Sequence, residues 1–380
     1  MLAERHAVLA EVEQPNKDVS TPFDLERVVL GVREGVSPSG LPPVRIFLGT
    51  ETAQHRAERI FVWSIEKIRD PSRVYENTFM KELPGFDPRR WLTGFTNYRF
   101  ANPELAGRTG RAIYNDVDQI YLTDPAVLFD LPMDEHGFMS ISDRDTSVML
   151  IDCARMATVW PLAAVQGERR KQLEERARQI DNLWGPIDPG WNARDDEYRA
   201  GQSHLIHFTV LQTQPWRPLP YRFVYDANPV APVWDALEQE ADTAGFHSFT
   251  AQRPSRKFAS LRTQAISGEL AASAFRQAAD AGAWRGLSEI LDRSDITDLV
   301  HYTLAVAGPG VEALGHNPLT ASPDAGRPAA SGVLCSQLLE YLPDEDVPWM
   351  LDEMFQASRR FFFLVVDERV KIAGKGPLPR

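Results

Sequence analysis

The sequence predicts an α/β protein: one larger domain on a mixed, mostly parallel sheet, followed by a smaller α/β domain. Three observations carry that expectation. Short apolar runs alternate with stretches of helical spacing from residue 44 onward. Turn residues separate them, as strand and helix boundaries require. After Gly245 the texture changes to a basic, aliphatic-poor stretch before apolar runs resume. A chain of 380 residues is long enough for two ordinary domains.

The elements follow in order. Residues 1–43 are polar, Pro-punctuated and end in SPSGLPP, so they read as an arm with one amphipathic helix near Phe23–Val32. The main domain is expected over 44–245. VRIFLGT (44–50) is a buried strand ending in a Gly turn. AQHRAERIFVWSIEKI places Ala57, Ile60, Phe61, Ser64, Ile65 and Ile68 on one side of a helix. RAIYND and HGFMSI are strands, SVMLIDCARM a strand running into a helix, and GERRKQLEERARQID an exposed helix. SHLIHFTVLQTQPW carries a further strand, and PVWDALEQEADTAG a helix stopped by glycine. Residues 246–262 read as a linker and 263–380 as the second domain. There GELAASAFRQAADAG and WRGLSEILDRS have helical spacing, and GVLCSQLLEYLP, DVPWMLDEMFQAS and RRFFFLVVDE read as strand, helix, strand.

Composition excludes several classes. A net charge of −12 gives no positive footprint for nucleic acid or for an anionic membrane. No apolar run reaches the roughly 18 residues of a spanning helix. The opening MLAERHAVLAEVEQPNKD has neither the apolar core nor the cleavage site of a secretory signal. Cys153 and Cys335 each lie in an apolar run, so free buried thiols and a reducing cytoplasm are expected.

In RAIYNDVDQIYLTDP, Asp116 and Asp118 stand one residue apart at a strand end. Residues i and i+2 of an extended chain point the same way, and charge at such a place needs a partner or a metal. Two convergent carboxylates suit a hard divalent cation, although Asn-Asp clusters are also common in turns. Asp143 and Asp145 in ISDRDTSVML begin a strand on the same side. They could bind sugar hydroxyls or stabilise an oxocarbenium-like transition state, or be surface loop acids. Asp195 and Asp196 read as a solvated loop pair.

With NYRFANPELAGRTGRAIYNDVDQIYLTDP in view, the sequence resembles the metal-dependent glycosyltransferases of the GT-A type. It looks most like the retaining family that includes glycogenin and the bacterial lipooligosaccharide galactosyltransferases. Arg99, Pro103, Asp116 and Asp118 follow that family's order. DTSVMLID resembles its sugar-contacting segment, and PGWNARDDEY…HLIHFTVLQTQPW its closing one. The resemblance covers roughly 44–245. It implies a Rossmann-like mixed sheet, Mn²⁺ or Mg²⁺ held by Asp116, Asp118 and His207, and His204 as the weaker alternative to His207. It implies a nucleotide-sugar donor, UDP-linked by preference, and a saccharide or lipid-linked acceptor, with retention at the anomeric carbon. Donor-side contacts are expected from Thr50, Glu51, Thr52, Tyr98, Arg99, Asp116 and Val117, with Asp143 and Asp145 on the sugar and Asn192 near the acceptor. A lipid-linked acceptor would bring the protein to the inner membrane face. Gln214 stands where the family has Lys, Val210 or Leu211 where it has Gly, and its Asp-Gln-Asp segment has no visible counterpart.

The stretch GVLCSQLLEYLPDEDVPWMLDEMFQASRRFFFLVV looks like the middle of a class I S-adenosylmethionine methyltransferase. Asn317 stands where that fold carries its ribose-binding acid, and Gly308-Pro309-Gly310 is too close to the next strand to serve as the glycine loop. A degenerate methyltransferase-like domain is therefore expected, with a shortened sheet whose open edge favours a homodimer. A non-catalytic scaffold and an active methyltransferase are the competing classes. Carboxylate repulsion between Asp116 and Asp118 predicts that removing Asp116 leaves the metal-free fold as stable or more so.

Overall fold

The computed structural model describes residues 23, 25–91, 93–216, 228–267, 286–287, 289–291, 293, 298–303, 315–316, 329–336 and 338–366. The chain divides into two compact units, Met1–Ser248 and Phe249–Arg380.

The first unit is built on a seven-stranded mixed sheet of β1 (Glu26–Leu30), β2 (Val44–Gly49), β3 (Tyr75–Met80), β4 (Arg111–Asp116), β6 (Phe138–Ser140), β7 (Val148–Asp152) and β8 (Trp184–Pro186). The strand order is β1-β3-β2-β4-β7-β6-β8. β3–β2, β2–β4 and β6–β8 are parallel. The β1–β3, β4–β7 and β7–β6 junctions are antiparallel, so the sheet is less parallel than the alternation of elements suggested. The central strands are apolar because both faces are covered: Ile46, Leu48, Ile113, Tyr114, Met149 and Leu150 are all buried.

Residues 26–30 correct the expected helix near Phe23–Val32 and the reading of that region as an arm. They form the sheet's edge strand, with Val28 opposite Asn77 and Leu30 opposite Tyr75. Val28 and Leu30 are two apart and both buried, the period of a strand rather than of a helix.

Helix α1 (His55–Ile68) buries Ala57, Ile60, Phe61, Ser64 and Ile65, while Ile68 is half-buried at its end. The Ser64 hydroxyl accepts the Tyr121 N–H at 3.0 Å, tying the helix to strand β5 (Gln119–Tyr121). The charged helix α6 (Arg170–Arg178) buries only Leu173 and Ala177. Helix α7 (Ala231–Thr243) reaches α1 through three ion pairs, Arg56–Glu238, Arg59–Asp242 and Lys67–Glu240, at 2.6–2.7 Å.

A second, three-stranded sheet sets the geometry of the site. Its order is β5-β10-β9, with β9 (Ala193–Arg194) and β10 (Leu205–His207). β10 runs antiparallel to β5, with His207 opposite Gln119, and parallel to β9, with His207 opposite Arg194.

In the second unit the described strands β11 (Leu299–Tyr302), β12 (Gly315–His316), β13 (Ala330–Ser336) and β14 (Ser358–Val365) are parallel, in the order β12-β11-β13-β14. Helix α8 (Arg256–Ser267) begins inside the stretch read as a linker, and α9 is Val347–Ala357. Asp346 accepts the Ser255 N–H at 3.0 Å and the Trp349 indole N–H at 2.8 Å. Residues 268–285, Gly308-Pro309-Gly310 and Asn317, on which parts of the sequence reading rest, lie outside the described residues.

Both cysteines are free and buried, and burial pushes each thiol up to about 12. No helix among the described residues is long and apolar enough to cross a membrane.

Candidate metal centre

Strand β4 delivers Asp116 to the carboxyl end of the central sheet, level with Gly49 at the end of β2. Ligands of α/β sheets bind outside that end. The turn after β4 carries Asp118, and the β5–β10 pairing then swings His207 back over it. Asp116, Asp118 and His207 thereby converge, with one donor atom from each within 4.8 Å of the others. The expected triad assembles from two neighbouring aspartates and a histidine about 90 residues further along the chain.

The three ligands stand in different surroundings. Asp116 is buried against Arg99, whose Nη2 lies 2.9 and 3.1 Å from its two oxygens. The Tyr114 hydroxyl also donates to Asp116 Oδ1. Burial raises the Asp116 carboxyl above the ordinary range, and the Arg99 charge works against that rise. Burial likewise disfavours the charge on Arg99, but Asp116, Tyr114, Asp145 and Asp118 together outweigh it, and its pKa is raised. Asp118 is less buried. Its Oδ2 accepts Gln214 Nε2 at 3.2 Å, while its Oδ1 is buried without a hydrogen-bond partner. His207 Nε2 stands 3.2 Å from that oxygen but does not complete a well-aligned bond to it.

That orphaned oxygen tests the fit of a cation. Two donors each about 2.1–2.3 Å from one ion lie about 3 Å apart, the spacing seen between Asp118 Oδ1 and His207 Nε2. Two carboxylates and an imidazole form a donor set suited to a divalent cation. The residues present fit such an ion.

Behind the triad lies a buried polar network. His207 Nδ1 is 2.8 Å from Asn192 Oδ1. Asn192 Nδ2 reaches Asp145 Oδ2 at 3.1 Å and Ser147 Oγ at 3.0 Å. Asp145 Oδ1 accepts the Ser147 N–H at 3.0 Å and the Ser147 hydroxyl, and Arg194 pairs with Oδ2. Burial pushes the Asp145 carboxyl up, but the Ser147 donors and Arg194 outweigh it and lower its pKa. For His207, burial opposes the charged form, and Asp118, Asp116 and Asp145 together raise its pKa above the ordinary histidine value.

The other sequence candidates fall in several places. Arg99 is fully engaged inside: besides Asp116 it donates to the Thr96 carbonyl at 2.9 Å and to Thr146 Oγ1 at 3.2 Å. Its fork holds a carboxylate of the chain itself. Val117 donates its N–H to the Gly49 carbonyl at 3.0 Å. Thr50 is buried and donates to Glu58 Oε1 at 2.6 Å. Glu51 is half-buried over Gly94, and Thr52 donates to Glu82 at 2.8 Å. Tyr98 is buried, edge-on to Phe86 and Trp91. Asp143 is half-exposed and makes no hydrogen bond or ion pair among the described residues. His204 lies outside the triad, stacked on Trp191 at 4.6 Å and 3.0 Å from the Thr123 hydroxyl.

Two readings are corrected. Asp195 is no solvated loop acid: it is buried, accepts Thr209 N–H at 3.0 Å and Oγ1 at 2.6 Å, and accepts Asn228 at 2.7 Å. Asn192 does not face an open acceptor side, because it is buried between His207 and Asp145. Sequence reasoning also missed Tyr114, Ser147 and Arg194 as parts of the site. Their only local signal was proximity to the aspartates and to Asn192.

No protein-family model and no curated protein matches the chain in sequence. Solved structures do match. The apo bifunctional glycosyltransferase WbbM is 10% identical, covers 55% of this chain and 53% of its own, and has a TM-score of 0.41. The galactosyltransferase LgtC, in complex with donor and acceptor sugar analogues, is 10% identical with a TM-score of 0.36, over 52% of this chain and 96% of its own. The glycosyltransferase GlyE of Streptococcus pneumoniae is 13% identical with a TM-score of 0.37, over 54% of this chain and 64% of its own. The chain thus spans about half the length of WbbM.

Proposed function

We propose that this chain is a metal-dependent GT-A type glycosyltransferase. It moves a sugar from a nucleotide donor, most naturally UDP-linked, to a hydroxyl of a glycan or lipid-linked saccharide, with retention. The observation that carries the reading is the convergence of Asp116, Asp118 and His207 at the carboxyl end of β4, with Asp118 Oδ1 buried and unsatisfied. The ordered sequence resemblance from Arg99 to Trp216 points to the same chemistry.

The triad would hold Mn²⁺ or Mg²⁺, which neutralises charge developing on a departing diphosphate, a contribution of several kcal/mol. The chain's own residues prepare that site. Arg99 and Tyr114 fix Asp116 in one orientation. Gln214, at the family's Lys position, fixes Asp118 instead of offering a charge to phosphate. Asp145 has its oxygens occupied by Ser147, Asn192 and Arg194, which favours an orienting role. Asp143 keeps a half-exposed carboxylate for sugar hydroxyls. Glu51 and Thr52, partly exposed beyond β2, remain for the nucleoside. Retention rests on the family resemblance.

The test is nucleoside diphosphate release from a panel of nucleotide sugars with Mn²⁺, with and without EDTA, in the wild type and in Asp118→Ala. Metal-dependent release lost in the variant supports the reading, and equal rates would sink it. Proton NMR of the early product decides stereochemistry: an anomer opposite to the donor's refutes retention alone.

The second unit is proposed as a degenerate methyltransferase-like domain, in keeping with its parallel strands and their order. The residues argued to disable cofactor binding lie outside the described set.

A further inference from the structure

We infer that Asp145, acting through Asn192, places the ring hydrogen of His207 on Nδ1, so that the Nε2 lone pair rather than an Nε2–H faces Asp118. The inference rests on the proposed cation centre and deepens it.

Asp145 Oδ2 faces the Arg194 guanidinium, and Oδ1 accepts the Ser147 N–H at 3.0 Å. Guanidinium and backbone N–H are donors only, so the carboxylate is an acceptor on both sides. The Asn192 atom 3.1 Å from Asp145 Oδ2 must therefore be the donor Nδ2. That leaves Oδ1, an acceptor only, 2.8 Å from His207 Nδ1. His207 Nδ1 must then carry its hydrogen, and the Nε2 lone pair is left 3.2 Å from Asp118 Oδ1. A lone pair facing a carboxylate is unfavourable, and a cation between them relieves the repulsion. The outer hydrogen bond of a metal-bound histidine commonly fixes its ring in this way. Here the instruction comes from one residue further out, because an amide can be flipped and a carboxylate beside it removes the choice. Asp145 and Asn192 are positioning residues, and Ser147 and Arg194 hold Asp145 in place.

The test reads the tautomer directly. In the full chain without metal, at a pH where the ring is neutral, ¹⁵N–¹H NMR should show Nδ1–H for His207, assigned by loss of the signal in His207→Gln. Asp145→Asn lets the Asn192 amide turn, so Nε2–H should appear and the Kd for Mn²⁺ should rise about 10–100-fold. The tautomer signal is a readout that a merely structural role would not move. An Nε2–H signal in the wild type overturns the inference, whatever the variants do. So does a folded Asp145→Asn with unchanged tautomer and Kd. Wild type with Nδ1–H and no affinity for Mn²⁺ would instead refute the metal centre and leave the tautomer assignment standing.

Discussion

Arg99→Met should be the most damaging single change near the site for the metal-free fold. Arg99 and Asp116 are both buried, their contacts are 2.9 and 3.1 Å, and Arg99 also donates to Thr96 and Thr146. Removing one member of a buried pair leaves the other charge without compensation, a cost of roughly 3–5 kcal/mol. For a unit of this size that lowers its unfolding midpoint by about 6–20 °C. Asp116→Asn strands the opposite charge and should also destabilise, which reverses the expectation drawn from repulsion with Asp118. Arg99→Met with Asp116→Asn removes both charges and should cost clearly less than the two single changes added together. The assay is thermal unfolding followed by near-UV circular dichroism in EDTA, then with Mn²⁺ and UDP. The deficit of Arg99→Met should shrink with the cation, which would take over compensation of Asp116. A deficit below about 1 kcal/mol in EDTA, or strict additivity in the double variant, would show that the pair does not matter as described.

Three further outcomes are expected. Burial lowers the His301 pKa to about 4, against an unfolded value of about 6.5. The unfolded chain therefore takes up this proton first, and about 3 kcal/mol of stability in the second unit is lost as pH falls from about 6.5 to 4. His301→Gln should flatten that slope in acid-titrated urea melts, and an unchanged slope would count against it. Calorimetry should detect no micromolar binding of S-adenosylmethionine, and a clear micromolar isotherm would show the glycine loop was misread. Light scattering over a concentration series should show a dimer, since β14 has Leu364 exposed and is paired on one side only among the described strands. A monomer at every concentration would remove that expectation.

The parts of the fold legible in the sequence are those whose signal is local. β4 could be read to its last residue because an apolar run meets two carboxylates there, and α1 because its apolar spacing is sustained over 14 residues. β1 was not, since ERVVL is too short for its period to be unambiguous and its state is decided by pairing with β3, about 50 residues away. The metal triad was legible only with the family resemblance, because nothing near His207 announces Asp118. Asn192 and Arg99 looked available for substrate, and Asp195 for solvent, because each carries polar groups on an irregular stretch. What the sequence does not show is that their partners are other residues of the chain, brought in over 15, 14 and 17 positions.

Gly49 ends β2 beside Asp116, and a Cβ there would collide with the Tyr114 hydroxyl and lie 3.0 Å from Phe95. Tyr114 is buried and cannot step aside, yet its hydroxyl is one of the groups that hold Asp116. The two aspartates are therefore an incomplete marker of competence when descendants of this sequence are compared. A lineage that keeps Asp116 and Asp118 but replaces Gly49 has already displaced the hydroxyl that supports the first of them. Its decay would begin on a neighbouring strand, more than 60 residues upstream of the two aspartates.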